Sequence, residues 1–219
     1  MISQSLTSQI YISVLAISLI CFYLSFRYNY SKHLKILSVL IAVTFIVEWF
    51  AVFGIKKIFH YNNNTEIYNV FMLVEFWVFA YYYKLLFQSK LLQKIAAWFL
   101  YIFPVFWFIV VFFVFGISAW NSYLIVAGSF FTVCFSAAYY YELFTSPKLV
   151  KLTSTPEFWI ATGMIIFYTC ELPYMGMLNF LVEHFLSLAR NLLPVLTILA
   201  TVMYLFFIYA YICGISTKK

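Results

Sequence analysis

"YNVFMLVEFWVFAYYYKLLF", residues 68–87, has about the length a helix needs to cross a bilayer. Glu75 stands near its middle, where hydrocarbon would surround it. An Asp at the centre of a membrane helix costs ~2.5–3.5 kcal/mol on insertion scales, and Glu carries the same group. Such residues face the interior of a bundle or a water-filled hollow and mark pathways or sites. The stretch therefore predicts an inward-facing helix in a multi-helix membrane protein, with Glu75 turned toward other helices.

The rest of the chain fits that setting. Its 219 residues are 66% hydrophobic and 24% aromatic, with 9% charged. A soluble domain carries about 25% charged residues, so this chain lacks the polar surface to coat a globule. Apolar runs predict seven spans, at 8–26, 34–54, 67–87, 95–116, 121–144, 157–181 and 189–213. The expected fold is all-α: a polytopic seven-transmembrane helix bundle, one domain over 1–219. The first run lacks a basic leader and a small-residue cleavage site and reads as a span. The "TSTPEFW" stretch marks a helix start, with Thr155 as N-cap, Pro156 in the first turn and Glu157 beside it.

The net charge of +6 does not imply nucleic acid, because the cations cluster at helix ends. With the N-terminus outside, Arg27, Lys32, Lys35, Lys84, Lys90, Lys94, Lys148, Lys151, Lys218 and Lys219 fall inside, and Lys56, Lys57 and Arg190 fall outside. Positive-inside bias then predicts N-terminus out and C-terminus in, in a bacterial inner (plasma) membrane. Cys21, Cys134, Cys170 and Cys213 sit in apolar stretches and read as small buried hydrophobes, not as a disulfide framework.

Two further acids lie at membrane depth, Glu48 in the second span and Glu171 in the sixth. At ~1.5 Å rise per residue, Glu48 sits roughly 6 Å outward of its span's midpoint, and Glu75 and Glu171 roughly 3 Å outward of theirs. Three acids on three helices at one level predict a shared polar pocket open to the outside. Tyr68, Glu75 and Tyr82 recur every seven residues on one helix face, and Thr44 and Glu48 share another. Pro173 frees the Thr169 carbonyl and predicts a kink, as Pro194 does for Arg190. Asn179, Asn191 and Arg190 are expected further out, with His60 and His184 flanking the mouth. The competing structural reading makes each Glu a protonated interhelical hydrogen-bond donor. Gly128, Thr132 and Ser136 form a small-residue stripe expected to pack helices, and the Thr197, Thr201 and Tyr204 face of the seventh span reads as packing first and cavity wall second. Glu142 and Lys84 are expected at the inner interface. Trp49, Trp120 and Trp159 read as an aromatic belt, and His33 as an ordinary loop residue. "NNT" at Asn63 is a formal glycosylation sequon on the outer side.

Several functions are excluded by what the motifs lack. The seventh span has no lysine for a retinal Schiff base, and there is no Asn-Pro-x-x-Tyr there. No Gly-rich phosphate loop, G-x-S-x-G, H-E-x-x-H or C-x-x-C occurs. His60 and His184 with a Glu are a poor metal set, because the histidines sit in loops. No cofactor is assigned.

"HLKILSVLIAVTFIVEWF", "IYNVFMLVEFWVFAYYYKLL" and "TPEFWIATGMIIFYTCELPYMGMLNFL" together resemble a group of seven-span proteins of Bacteroidota. The resemblance rests on Glu48, Tyr68, Glu75, Tyr83, Lys84, Phe158, Trp159, Gly163 and Asn179; Glu171 with Pro173 departs from it. It implies the seven-span architecture and, through neighbouring sensor-kinase genes, a signalling context, but no chemistry. The expected function is a sensory or receptor-like membrane protein. A small ligand or cation would meet Glu48, Glu75 and Glu171, with Tyr68, Asn179, Thr44, Tyr82 and Asn191 around it. A membrane or cytoplasmic signalling partner would carry the output. The alternative is a proton- or cation-coupled transporter of a small solute, against which the lack of an internal repeat counts. An intramembrane enzyme acting on lipid, with a Glu as general base, comes third.

Overall fold

The computed structural model describes residues 4–51, 64–146 and 151–216. Lys56, Lys57, His60, the Asn63 sequon, Lys148, Lys218 and Lys219 lie outside the described residues. The described chain is helical, in seven long α-helices: α1 Gln4–Arg27, α2 Lys32–Trp49, α3 Thr65–Leu86, α4 Lys90–Ile109, α5 Ser122–Thr145, α6 Pro156–His184 and α7 Leu186–Ser216. They fall where the apolar runs place them. A π-helical stretch, Val110–Phe115, continues α4 and ends at Gly116, whose φ of 85° favours glycine. Nothing in the sequence reading anticipates that stretch.

Five segments among the described residues are long and apolar enough to cross a membrane: Leu6–Arg27, Lys90–Phe115, Ser122–Thr145, Pro156–His184 and Leu186–Ile215. Their exposed faces carry large hydrophobics such as Trp98, Tyr101 and Phe113, as lipid contact requires. This is an integral membrane architecture. The two helices that fall short are α2 and α3. Lys32, Lys35 and Glu48 dilute the first; Glu66, Asn69, Glu75 and Lys84 dilute the second. These are also the helices that bring Glu48 and Glu75 to the interior.

Side-chain contacts give the order and direction of the helices. Tyr11 meets Glu48 and Ser25 meets Ser38, so α1 and α2 are antiparallel. Glu48 with Tyr68 and His33 with Tyr82 set α2 against α3 in the same way. Ser129 with Glu171 and Tyr140 with Thr162 do so for α5 and α6. For α6 and α7 the pairs are Tyr174 with Ala189 and Trp159 with Tyr209. Helices α3 and α5, however, run parallel: Phe76 abuts Gly128 and Tyr83 bonds Ser136. So do α7 and α1: Tyr204 meets Tyr11 on α1, and further along α7 Tyr211 meets Tyr30, just past the end of α1. The order round the bundle is α1, α2, α3, α5, α6, α7 and back to α1. Helix α4 lies outside this ring, packed on α3 and α5. The ring thus comprises two triplets, α1–α3 and α5–α7, joined along two parallel seams, and α4 is the crossover between them.

The first seam is close because α5 is small there. A Cβ on Gly128 would come within 2.2 Å of the Phe76 ring. Thr132 and Ser136 continue the stripe, both buried with their hydroxyls donated to backbone carbonyls one turn back. The expectation of packing for this stripe agrees with these contacts. Asn69 fastens α4 and its link to the ring. Its side-chain amide N–H groups donate to the carbonyls of Ile117 and Ala119, and its backbone carbonyl accepts from the Trp107 indole.

One end of the bundle is a tyrosine-rich plug. Tyr30 donates to the Tyr211 carbonyl at 2.7 Å and Tyr211 donates to the Leu34 carbonyl. Burial pushes the Tyr30 phenol up to about 12, so it stays a donor at every ordinary pH. His33 pairs with Glu157 at 2.8 Å, tying the start of α2 to the start of α6. The sequence reading gave His33 no role; the contact across the bundle corrects it. Glu142, expected at the inner interface, accepts from the backbone N–H groups of Gln88 and Ser89 and so holds the α3–α4 turn. Arg27, Lys32, Lys35, Lys84, Lys90, Lys94 and Lys151 all belong to this end; at the other, among the described residues, stands Arg190.

Other expectations need correction. Thr155 does precede α6 and Pro156 opens it, but the Thr155 hydroxyl donates back to Lys151, not to the helix's first turn. Pro173 and Pro194 do fall inside α6 and α7, as the sequence places them, with Pro173 exposed. Cys21 is buried as expected, whereas Cys134 and Cys170 face outward from the bundle.

Candidate ligand-binding site

Away from the plug, the ring encloses a cavity of about 160 Å³. Every ring helix lines it and α4 does not. Tyr11 comes from α1; Thr44 and Glu48 from α2; Tyr68, Phe71, Met72, Glu75 and Phe76 from α3. Trp120 of the α4–α5 link and Ile125 of α5 add to it, as do Phe167, Tyr168, Glu171 and Met175 of α6 and Ala200, Met203 and Tyr204 of α7. The three glutamates at one level thus do share one hollow. Helical spacing explains the set on α3, since residues three and four apart lie on one face.

Each carboxylate is positioned by a hydroxyl from another helix. Glu48 accepts from Tyr68 at 3.0 Å and from Tyr11 at 3.3 Å, one on each oxygen. Glu75 accepts from Tyr168 at 3.1 Å on Oε1. Glu171 accepts from Ser129 at 2.8 Å on Oε2. Glu75 Oε2 and Glu171 Oε1 accept from no described residue. All three side chains are half-buried, consistent with surfaces that border the hollow. Among the described residues no lysine, arginine or histidine lines it. Ionised carboxylates gathered in a low-dielectric interior repel one another, so the arrangement calls for protons or a cation. Among the described residues no group of three or more His, Cys or Glu could hold a metal ion.

Toward the plug the cavity ends on aromatic rings. Phe76 and Tyr168 line it and both pack on Phe79, with centroids 6.3 and 5.6 Å away. The carboxylates therefore form walls of the hollow, and its floor is aromatic. At the opposite end Trp120 stands edge-on to Tyr68, 6.1 Å between centroids. Thr44 lines the hollow while its hydroxyl donates to the Leu40 carbonyl at 2.9 Å.

The remaining expected site residues lie elsewhere. Tyr82 shares a helix face with Glu75 but stands two turns along the axis, about 10 Å away. It is buried in the plug against the His33 ring, its hydroxyl without a partner among the described residues. Asn179 and Asn191 are exposed near the ends of α6 and α7 and do not line the cavity. His184 is exposed beside Glu183 and Phe180. Thr201 is buried and donates to its own helix, in line with the packing reading. The sequence reading missed Tyr11, Tyr168 and Ser129 altogether. Tyr168 carried a usable signal, standing three residues before Glu171 on the same face; Tyr11 and Ser129 carried none.

Comparison with protein-family models, with curated proteins and with solved structures gives no match.

Proposed function

We propose that the chain is a seven-span, receptor-like membrane protein whose intramembrane carboxylate cavity binds a small ligand or cation. The carrying observation is the cavity itself: Glu48, Glu75 and Glu171 on its walls, no basic side chain among the described residues to neutralise them, and room for a small molecule. The cavity faces the end away from the basic cluster, which by the positive-inside rule is the outer face. The opposite end is closed by the tyrosine plug. A site closed toward the basic end suits reception better than passage. With no soluble domain among the described residues, output passes through helix packing to a membrane or cytoplasmic partner. The resemblance to Bacteroidota proteins neighbouring sensor kinases points the same way.

One observation favours transport as the second reading. Glu48 and Glu75 belong to the first triplet and Glu171 to the second, so a shared ligand would bridge two bodies that meet along parallel seams. Rocking of one such body against the other around a central site is how many carriers alternate access.

The test is a ligand screen by thermal unfolding of the purified protein in nanodiscs, followed by flux in proteoliposomes. Reception predicts stabilisation by a ligand, lost in Glu75→Leu, with no flux of that ligand. Ligand flux abolished by the same substitution selects the carrier. A screen in which wild type and Glu75→Leu respond alike to every compound removes both readings.

A further inference from the structure

Resting on the ligand-binding reading above, we propose that the cavity takes a small protonated primary amine, its ammonium held between Glu75 and Glu171. Both oxygens of Glu48 are already engaged, by Tyr68 and Tyr11. Tyr168 and Ser129 each engage one oxygen of the other two acids, leaving Glu75 Oε2 and Glu171 Oε1 without a donor from the described residues. The open hydrogen-bonding capacity of the site is therefore acceptor-only and comes from two walls. An alkylammonium supplies three N–H donors from one atom, as a lysine head does, and can serve both acids at once. A neutral alcohol has a single donor and no charge to offset theirs. An anion would meet three carboxylates and no basic partner among the described lining residues.

A metal ion fits less well. Its shell needs several ligating side chains converging on one point, and among the described residues no such group of His, Cys or Glu exists. The walls are also wrong for a bare ion. Phe76, Phe167, Tyr204 and Trp120 line the hollow together with the acids. Aromatic faces attract organic cations, and apolar walls cover an alkyl body. Size sets the last limit. A cavity of about 160 Å³ is close to the engineered cavity of about 150 Å³ that admits benzene, so the ligand has roughly six heavy atoms.

The test is calorimetric titration of the nanodisc-embedded protein at neutral pH with n-butylammonium, tetramethylammonium, 1-pentanol, potassium and calcium. Saturable binding of n-butylammonium is expected, at least tenfold tighter than tetramethylammonium, which has no N–H, and than 1-pentanol. Glu75→Gln and Glu171→Gln should each weaken it tenfold or more, and Glu48→Gln less than threefold. The probe comparison needs no variant, so it holds even where a Gln variant does not fold. Equal binding of 1-pentanol or tetramethylammonium overturns the amine, as does indifference to both Gln substitutions. Potassium or calcium binding through the same two glutamates also overturns it, yet leaves the ligand-binding reading in place. No saturable binding of any probe overturns the amine alone; the broader screen against Glu75→Leu decides the reading beneath it.

Discussion

At the scale of single residues, the site is a set of acids each aimed by a hydroxyl from another helix. Glu48 is the most constrained, because Tyr11 and Tyr68 approach it from α1 and α3. Measured interhelical hydrogen bonds in membranes average ~0.6 kcal/mol and reach ~1.7. A double-mutant cycle of Tyr68→Phe with Glu48→Gln should therefore give a coupling of about 0.6–1.7 kcal/mol in reversible unfolding. Zero coupling would mean that the 3.0 Å contact does not hold α2 to α3. The acids themselves were legible in the sequence, since a charge in a hydrocarbon-length run stands out against its neighbours. Their donors were not. A tyrosine in a chain with 19 of them is no signal, and only the fold shows that Tyr11 reaches Glu48 across two helices. Tyr82 failed for a different reason: periodicity fixes the face of a helix but not which depth on that face meets a cavity.

At the scale of elements, the seam between α3 and α5 sets the shape of the cavity, because Phe76 both lines the hollow and lies on Gly128. Gly128→Ala forces the ring aside or the helices apart. Overpacking of this kind costs about 1–3 kcal/mol. The expected outcome is a lower unfolding temperature together with weaker ligand binding, since the displaced ring moves into the cavity. Full stability in the alanine variant would show that the seam is looser than the Phe76 contact implies. Helix positions were readable from apolar length alone, and the start of α6 from Thr155 and Pro156. The π-helical end of α4 was not, because no residue type specifies it. Nor could the sequence show α4 outside the ring. Length and composition alone do not separate a lipid-facing helix from a ring helix.

At the scale of the whole molecule, the two triplets contribute unequally to one site: Glu48 and Glu75 from the first, Glu171 from the second. Their joining contacts are side-chain packing along α3–α5 and α7–α1, and crossing bonds such as Tyr168 to Glu75 and His33 to Glu157. The covalent thread between the triplets runs through α4, on the rim. A break in the peptide chain at the α3–α4 turn would sever nothing that the cavity needs. Two separately translated pieces, 1–88 and 89–219, should find each other in the bilayer, co-purify from one tag, and bind ligand as the intact chain does. Neither piece alone should bind, since each would hold only part of the carboxylate set.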